Sequence, residues 1–431
     1  MSGRRDFLSV AKGRLLPASV PFRFFGAAVV YHVFAWLALF AGADTLPRFA
    51  GGLGWTLAAL HLVTLGVLAM TAIGASLQLI PVATRQPVYT HHGPAAIWWL
   101  YTPGVAALTI GMGVPSPPLL AVGATAVVLA LVAYALLLAR NLVGARGMPA
   151  VVAHGWVAVV SLAVVLATAA ALALPYLGIV WLDRSAALAL HVAFAAYGFM
   201  GMLSLGLSYI LVPMFALANA PDDRRAIASC ALAAVALVFA GVAAFDVVPR
   251  VLRLVALASA AAAVSVHYAL MRKALREGMR RELGRSFTLV RLAWVLLAAS
   301  LVAAFLVTID APIDGIATLF GVVLIAGWLL TFLLGVLQRI GPFLASMHAP
   351  PGQRRPPTPS TLTDDRPLAV HHACHAVALA GLAVAILVGS PSIAAASAGV
   401  GALGAVAYAA FFATIGLRMA RHLRATPRPV A

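Results

Sequence analysis

The sequence predicts an all-α polytopic membrane protein with twelve transmembrane helices in three pseudo-repeats of four. Composition is the first reason: 63% of residues are hydrophobic and 10% charged, whereas roughly a quarter of a soluble domain is charged. The second is a set of apolar runs, each long enough to cross a hydrocarbon core about 30 Å thick. The third is a recurring spacing. Gly66, Gly74 and Pro81 stand eight and seven residues apart, and the same intervals separate Gly198, Gly206 and Pro213, then Gly327, Gly335 and Pro342. Successive prolines lie 132 and 129 positions apart, so one unit is used three times within a single transmembrane domain.

The first repeat, approximately 20–142, contains apolar runs at 22–42, 55–82, 95–114 and 118–142. Its second run carries the first glycine–glycine–proline set, and its third opens on Trp98, Trp99 and Tyr101, which read as interface anchors. The second repeat, 150–271, holds runs at 150–176, 187–217, 225–244 and 247–271. The third, 286–420, holds runs at 286–309, 316–346, 368–390 and 393–420. Residues eight and fifteen apart return to nearly one helix face, so the second, sixth and tenth runs each carry a stripe without side chains. Such a stripe admits a neighbouring backbone or a flat ligand. The proline that follows is expected to bend or end its helix. The proline-rich stretch 349–367 is expected to be a flexible cytoplasmic connection.

Charge fixes the expected orientation. With a cytoplasmic N-terminus, only Arg48, Arg184, Arg250 and Arg253 of the 29 basic residues fall on the outer side. The positive-inside rule then puts both termini in the cytoplasm of a bacterial inner membrane, with the lipid bilayer as the main partner. The net charge of +17 therefore reflects topology, and nucleic acid is not an expected partner. Cys230 and Cys374 both fall near predicted cytoplasmic helix ends, where no disulfide framework is expected. The first apolar run is full length and lacks a small-residue cleavage site, so no cleavable signal peptide is expected.

Histidines are the candidate site residues. His61 and His191 lie twenty and twenty-two residues before the repeat prolines, in the outer third of the membrane on the second and sixth runs. A polar ring at that depth costs free energy unless it is paired or ligating, and neutral imidazole binds haem iron and copper. The third repeat has no histidine in its tenth run; Phe320, Gly321 and Val322 occupy the matching region. At the inner side, HHACH at 371–375 places His371, Cys374 and His375 at i, i+3 and i+4, a candidate nitrogen and sulfur metal set at the start of the eleventh helix. His91, His92, His154, His267 and His348 are also expected near that side. His32 is mid-helix, where a hydrogen bond to a neighbour is its expected role. Phe194, Tyr197 and Phe199 are open to either packing or flanking a porphyrin.

HVAFAAYGFMGMLSLGLSYILVP at 191–213 resembles helix six of the haem-copper oxidase subunit I superfamily, in its cytochrome c oxidase and nitric oxide reductase branches. HLVTLGVLAMTAIGASLQLIP at 61–81 is similarly like helix two, whose histidine holds the low-spin haem. The resemblance implies a subunit I-like fold, His61 as a haem ligand and His191 as a ligand of active-site copper. The chain departs from the family pattern in two places. The segment 225–244 lacks the histidine pair that binds copper, and the tenth helix lacks both haem histidines. A complete binuclear centre is therefore not expected. PFRFFGAAVV at 21–30 and the helix-two pattern also resemble, more weakly, the NnrS family of haem- and copper-containing proteins of the nitric oxide response. The implied role is in respiration or nitric oxide response, with respiratory electron-transfer or assembly proteins as partners. All twelve acidic residues fall in predicted loops, termini or helix ends, which disfavours proton pumping and proton-coupled transport. The competing classes are a metal-ion or small-molecule transporter and a cofactor-free assembly subunit.

Overall fold

A computed structural model describes residues 16–86, 90, 92–348 and 357–425. Twelve helices in it are long and apolar enough to span a bilayer: α1 (Ser19–Ala41), α2 (Trp55–Thr84), α3 (Gly93–Gly113), α4 (Pro117–Val143), α5 (Pro149–Leu177), α6 (Arg184–Ala216), α7 (Asp223–Ala243), α8 (Pro249–Glu277), α9 (Gly284–Thr308), α10 (Ile316–Met347), α11 (Asp365–Leu387) and α12 (Pro391–Arg424). No strand occurs among the described residues. Side chains such as Phe34, Leu136 and Val160 are exposed on the outer faces, as lipid-facing residues must be. The chain is a multi-pass membrane protein.

Consecutive helices pack as neighbours, and α12 packs against α1, which brings the two ends of the chain together. Helices α2 and α6 are the most buried. Each of α2, α6 and α10 is interrupted by an eight-residue π-helical segment: Leu62–Ala69, Phe194–Gly201 and Val323–Leu330. All three segments place the first glycine of the repeated spacing at their fifth residue. The π segments of α2 and α6 both touch that of α10, so the widened turns meet at the bundle centre. Widened turns leave backbone carbonyls in need of donors. Tyr101 on α3 donates to Leu65 O at 3.1 Å, and Thr331 donates to Ala326 O at 3.0 Å. Tyr101 is thus fully buried rather than an interface anchor, whereas Trp99 beside it is exposed.

The glycine stripes are helix contacts. A Cβ on Gly66 or Gly74 would lie 2.8 Å from Tyr31 Cβ or 2.7 Å from Phe24 Cβ, both on α1. One on Gly206 would lie 2.7 Å from His154 Cβ on α5, and one on Gly335 would lie 2.8 Å from Ser286 O on α9. Gly198 similarly faces Ser161 of α5. In each group of four, the glycine-bearing helix therefore closes on the helix just before it. Pro81 and Pro213 each lie inside the helix one turn before its end. Gln86 N–H then bonds Pro81 O at 3.0 Å and Ala218 N–H bonds Pro213 O at 2.9 Å, across the left-handed residues Arg85 and Leu217. Helix α10 instead continues past Pro342 to Met347.

The stretch 349–367 is shorter as an irregular connection than expected. Residues 349–356 lie outside the described residues, as does His91, but Pro359–Leu362 is helical and α11 already begins at Asp365. Asp364 caps α11 by accepting from Arg366 N–H and pairs with Arg418 of α12 at 2.8 Å. At the opposite end of the bundle Asp183 caps α6, accepting from Ser185 and from Ala186 N–H. The Ser185 hydroxyl first, then the Ala186 N–H, holds that carboxyl below its ordinary range.

Candidate functional site

His61 closes the first α-helical turns of α2, immediately before its π segment. Its Nδ1 donates to Leu57 O at 3.0 Å, the carbonyl one turn back, and Nε2 is left for another partner. His191 of α6 lies 3.3 Å from Thr168 Oγ1 of α5 through Nδ1. The Thr168 hydroxyl donates to Val164 O at 2.8 Å, so the His191 ring is the donor in that pair and again its Nε2 is left. Both rings are half-buried. Each has the tautomer that a metal-binding imidazole adopts when its other nitrogen is tied to oxygen.

The HHACH segment sits deeper than the sequence suggests. Because α11 begins at Asp365, His371 and His375 lie two to three turns inside it and are buried within the bundle. Their rings stack with centroids 5.5 Å apart. Cys374 does not join them; its Cβ packs against α12 at Gly404. The third neighbour is His32 of α1, whose ring meets His371 edge-on at 6.0 Å. Trp36 Nε1–H donates to His32 Nε2 at 3.1 Å, the hydrogen bond expected of that residue. Tyr408 of α12 lies 4.7 Å from the His371 ring and donates its hydroxyl to Leu334 O. His372, facing the other way, is held by Leu368 O and Arg285 O.

A further cluster joins α5, α6 and α8. Tyr209 lies between His154 and His267, with ring centroids 5.3 Å and 5.1 Å away, and its hydroxyl is 3.0 Å from His267 Nδ1. His154 Nδ1 donates to Ala150 O at 2.8 Å. The HHACH spacing announces His371 and His375, and His154 and His267 are expected at one side, but the arrival of His32 and the placing of Tyr209 between His154 and His267 are not visible in the sequence, because they assemble residues from helices far apart in the chain.

No three His, Cys, Asp or Glu side chains among the described residues group closely enough to hold a metal ion together. The imidazoles of His61 and His191 each fit iron or copper by donor type and tautomer. The glycine stripes do not fit a porphyrin face, since neighbouring side chains fill Gly66, Gly74, Gly198 and Gly206. The bundle centre is filled likewise: the Trp328 indole is buried, tilted on Tyr197 at 5.6 Å, with Gly201 beneath its edge. Tyr197 bonds Ser300 and Phe199 packs on Tyr134, so packing accounts for these aromatics. Comparison with family models and with curated proteins finds no match to this chain.

Proposed function

We propose that this chain is an integral membrane relative of haem-copper oxidase subunit I that binds haem or a single copper without a complete binuclear centre. The observation that carries the reading is that His61 on α2 and His191 on α6 each stand just ahead of a π segment with Nδ1 beside an oxygen, which leaves Nε2 as the candidate ligating nitrogen. Three π segments at one register, and three glycine-bearing helices each closed on the preceding helix, support descent from a threefold repeated unit of four helices. The packed glycines and Trp328 favour a copper ion, or a haem held at the bundle's edge, over a haem in the bundle centre. A bound iron or copper would supply reversible one-electron chemistry and a position for a diatomic ligand. Residues of this chain would hold the two rings in fixed tautomers: Leu57 O for His61, Thr168 Oγ1 for His191. The basic loops support cytoplasmic termini in a bacterial inner membrane, where respiratory electron transfer, assembly of respiratory complexes or the nitric oxide response would use such a protein. Reduced-minus-oxidised spectra and metal analysis of protein expressed with added haem and copper test the reading. A stoichiometric signal is expected; protein at background in both would overturn it.

A further inference from the structure

We propose that residues 16–18, the segment entering α1, form a strap whose closure depends on pH, held at Leu16 by the charged form of His348. His348 follows the last residue of α10, and its ring stands between two backbone carbonyls: Nδ1 lies 2.8 Å from Leu344 O and Nε2 lies 2.9 Å from Leu16 O. A carbonyl oxygen only accepts, and a neutral imidazole carries a single N–H. The neutral ring therefore satisfies one of these contacts and sets a lone pair against the other, whereas the imidazolium donates to both. A cation is also what this position favours, since the last carbonyls of α10 give the helix end partial negative charge. Both observations select the charged ring, and with it a link from α10 to a segment 332 positions earlier in the chain.

The link closes a cavity. The Leu16 side chain is buried and forms part of the wall of a space of about 40 Å³ between α2, α3 and α4, which is lined also by Asn141 and by the Ser76 and Tyr134 hydroxyls, 2.8 Å apart. Loss of the ring proton removes one of the two hydrogen bonds of His348. The bond to Leu344 O stays within one helix turn and orders no other segment, so the bond to Leu16 O is the one given up. Histidine as a residue type changes charge between about pH 5 and 8. The strap is therefore closed at the acid end of that range and loosens as pH rises through it. Surrounding charges offer His348 no substitute partner. The second half of α10 packs on α9, on Pro359–Leu362 and on α12. Arg339 of α10 itself is held at Ser286 Oγ and Leu283 O, Arg23 of α1 at Ser19 O, and Arg418 of α12 at Asp364. Arg285 and Arg291 of α9 and Arg421, His422 and Arg424 of α12 complete the titratable and charged groups at this end, and none of them bonds His348.

The test uses the full chain in mild detergent carrying Cys230→Ala, Cys374→Ala and Ser19→Cys, with a nitroxide at position 19, the exposed start of α1. Electron paramagnetic resonance then follows the label from about pH 5 to about pH 9. The ratio of mobile to immobile label is expected to rise about tenfold through a single titration, the size of one charge-assisted hydrogen bond. In His348→Gln, which cannot take the charge, the label is mobile and flat across the range; in His348→Arg, charged throughout, it stays immobile at the alkaline end. A parent without a pH-dependent change, a titration that survives in His348→Gln, or one that persists unaltered in His348→Arg would each overturn the proposal. Should the cysteine substitutions prevent folding, hydrogen exchange of residues 16–22 in the native chain decides it. Protection relative to His348→Gln is expected to be about tenfold at the acid end and to vanish at the alkaline end, and an equal ratio at both would overturn the strap.

Discussion

Gly74→Ala puts a number on the claim that the glycine stripes are helix contacts. The new Cβ would stand 2.7 Å from Phe24 Cβ, an atom fixed to the α1 backbone, where ordinary contact begins at 3.4 Å. Helices α1 and α2 must then separate by about 0.7 Å along that contact, because packed interiors have little slack. Overpacking of this kind costs about 1–3 kcal/mol. Against it stands the gain of about 1 kcal/mol for replacing glycine by alanine in a helix. Gly26→Ala on α1 isolates that gain, since nothing lies within 4 Å of its built Cβ. Propensity cancels between the two variants, so Gly74→Ala should be less stable than Gly26→Ala by the overpacking cost alone, about 1–3 kcal/mol. Unfolding by sodium dodecyl sulfate in detergent micelles, followed by the fluorescence of the eight tryptophans, measures both. Equal stabilities within about 0.5 kcal/mol would refute the close approach of α1 and α2 and reopen the stripe to a ligand.

Tyr101→Phe removes the donor to Leu65 O and should cost about 1 kcal/mol in the same titration, the size of an interhelical hydrogen bond in a membrane; an unchanged midpoint would mean the π segment does not need it. Trp328→Ala should cost about 3–5 kcal/mol if the indole fills the centre as packing, and a near-neutral result would contradict a filled centre. Asp183→Ala should lower the thermal midpoint at neutral pH. Since the folded carboxyl titrates below its ordinary value, its contribution is complete above the unfolded pKa and disappears as pH falls through the folded one. The two midpoints should therefore converge below about pH 4, and a constant difference down to pH 2 would show that charge is not involved.

The number and approximate positions of the twelve helices were legible because a span needs a minimum length of apolar residues, and that requirement is local. The recurrence of Gly66, Gly198 and Gly327 pointed to α2, α6 and α10 as special. What the spacing could not carry was the reason, since a glycine stripe serves a helix or a ligand equally until Tyr31, Phe24 and His154 are seen lying on it. The π segments were not legible: they depend on hydrogen bonds such as Tyr101 to Leu65 O, made between helices. The same holds for the histidines. The i, i+4 spacing of His371 and His375 was readable, but the orientation of Cys374 towards Gly404 of the next helix and the arrival of His32 from α1, more than three hundred positions away, come from packing between helices. The start of α11 was misplaced by three residues because Asp364 and Asp365 read as loop, whereas an aspartate there caps and opens a helix.

The most direct test of the central claim is the haem and metal content per polypeptide of the purified protein, by pyridine haemochrome assay and elemental analysis, beside His61→Ala and His191→Ala. The account predicts a stoichiometric haem or copper content in the parent that is lost in both variants, with the folded fraction unchanged. Folded parent protein carrying neither haem nor metal, or a full complement retained in both variants, would contradict it.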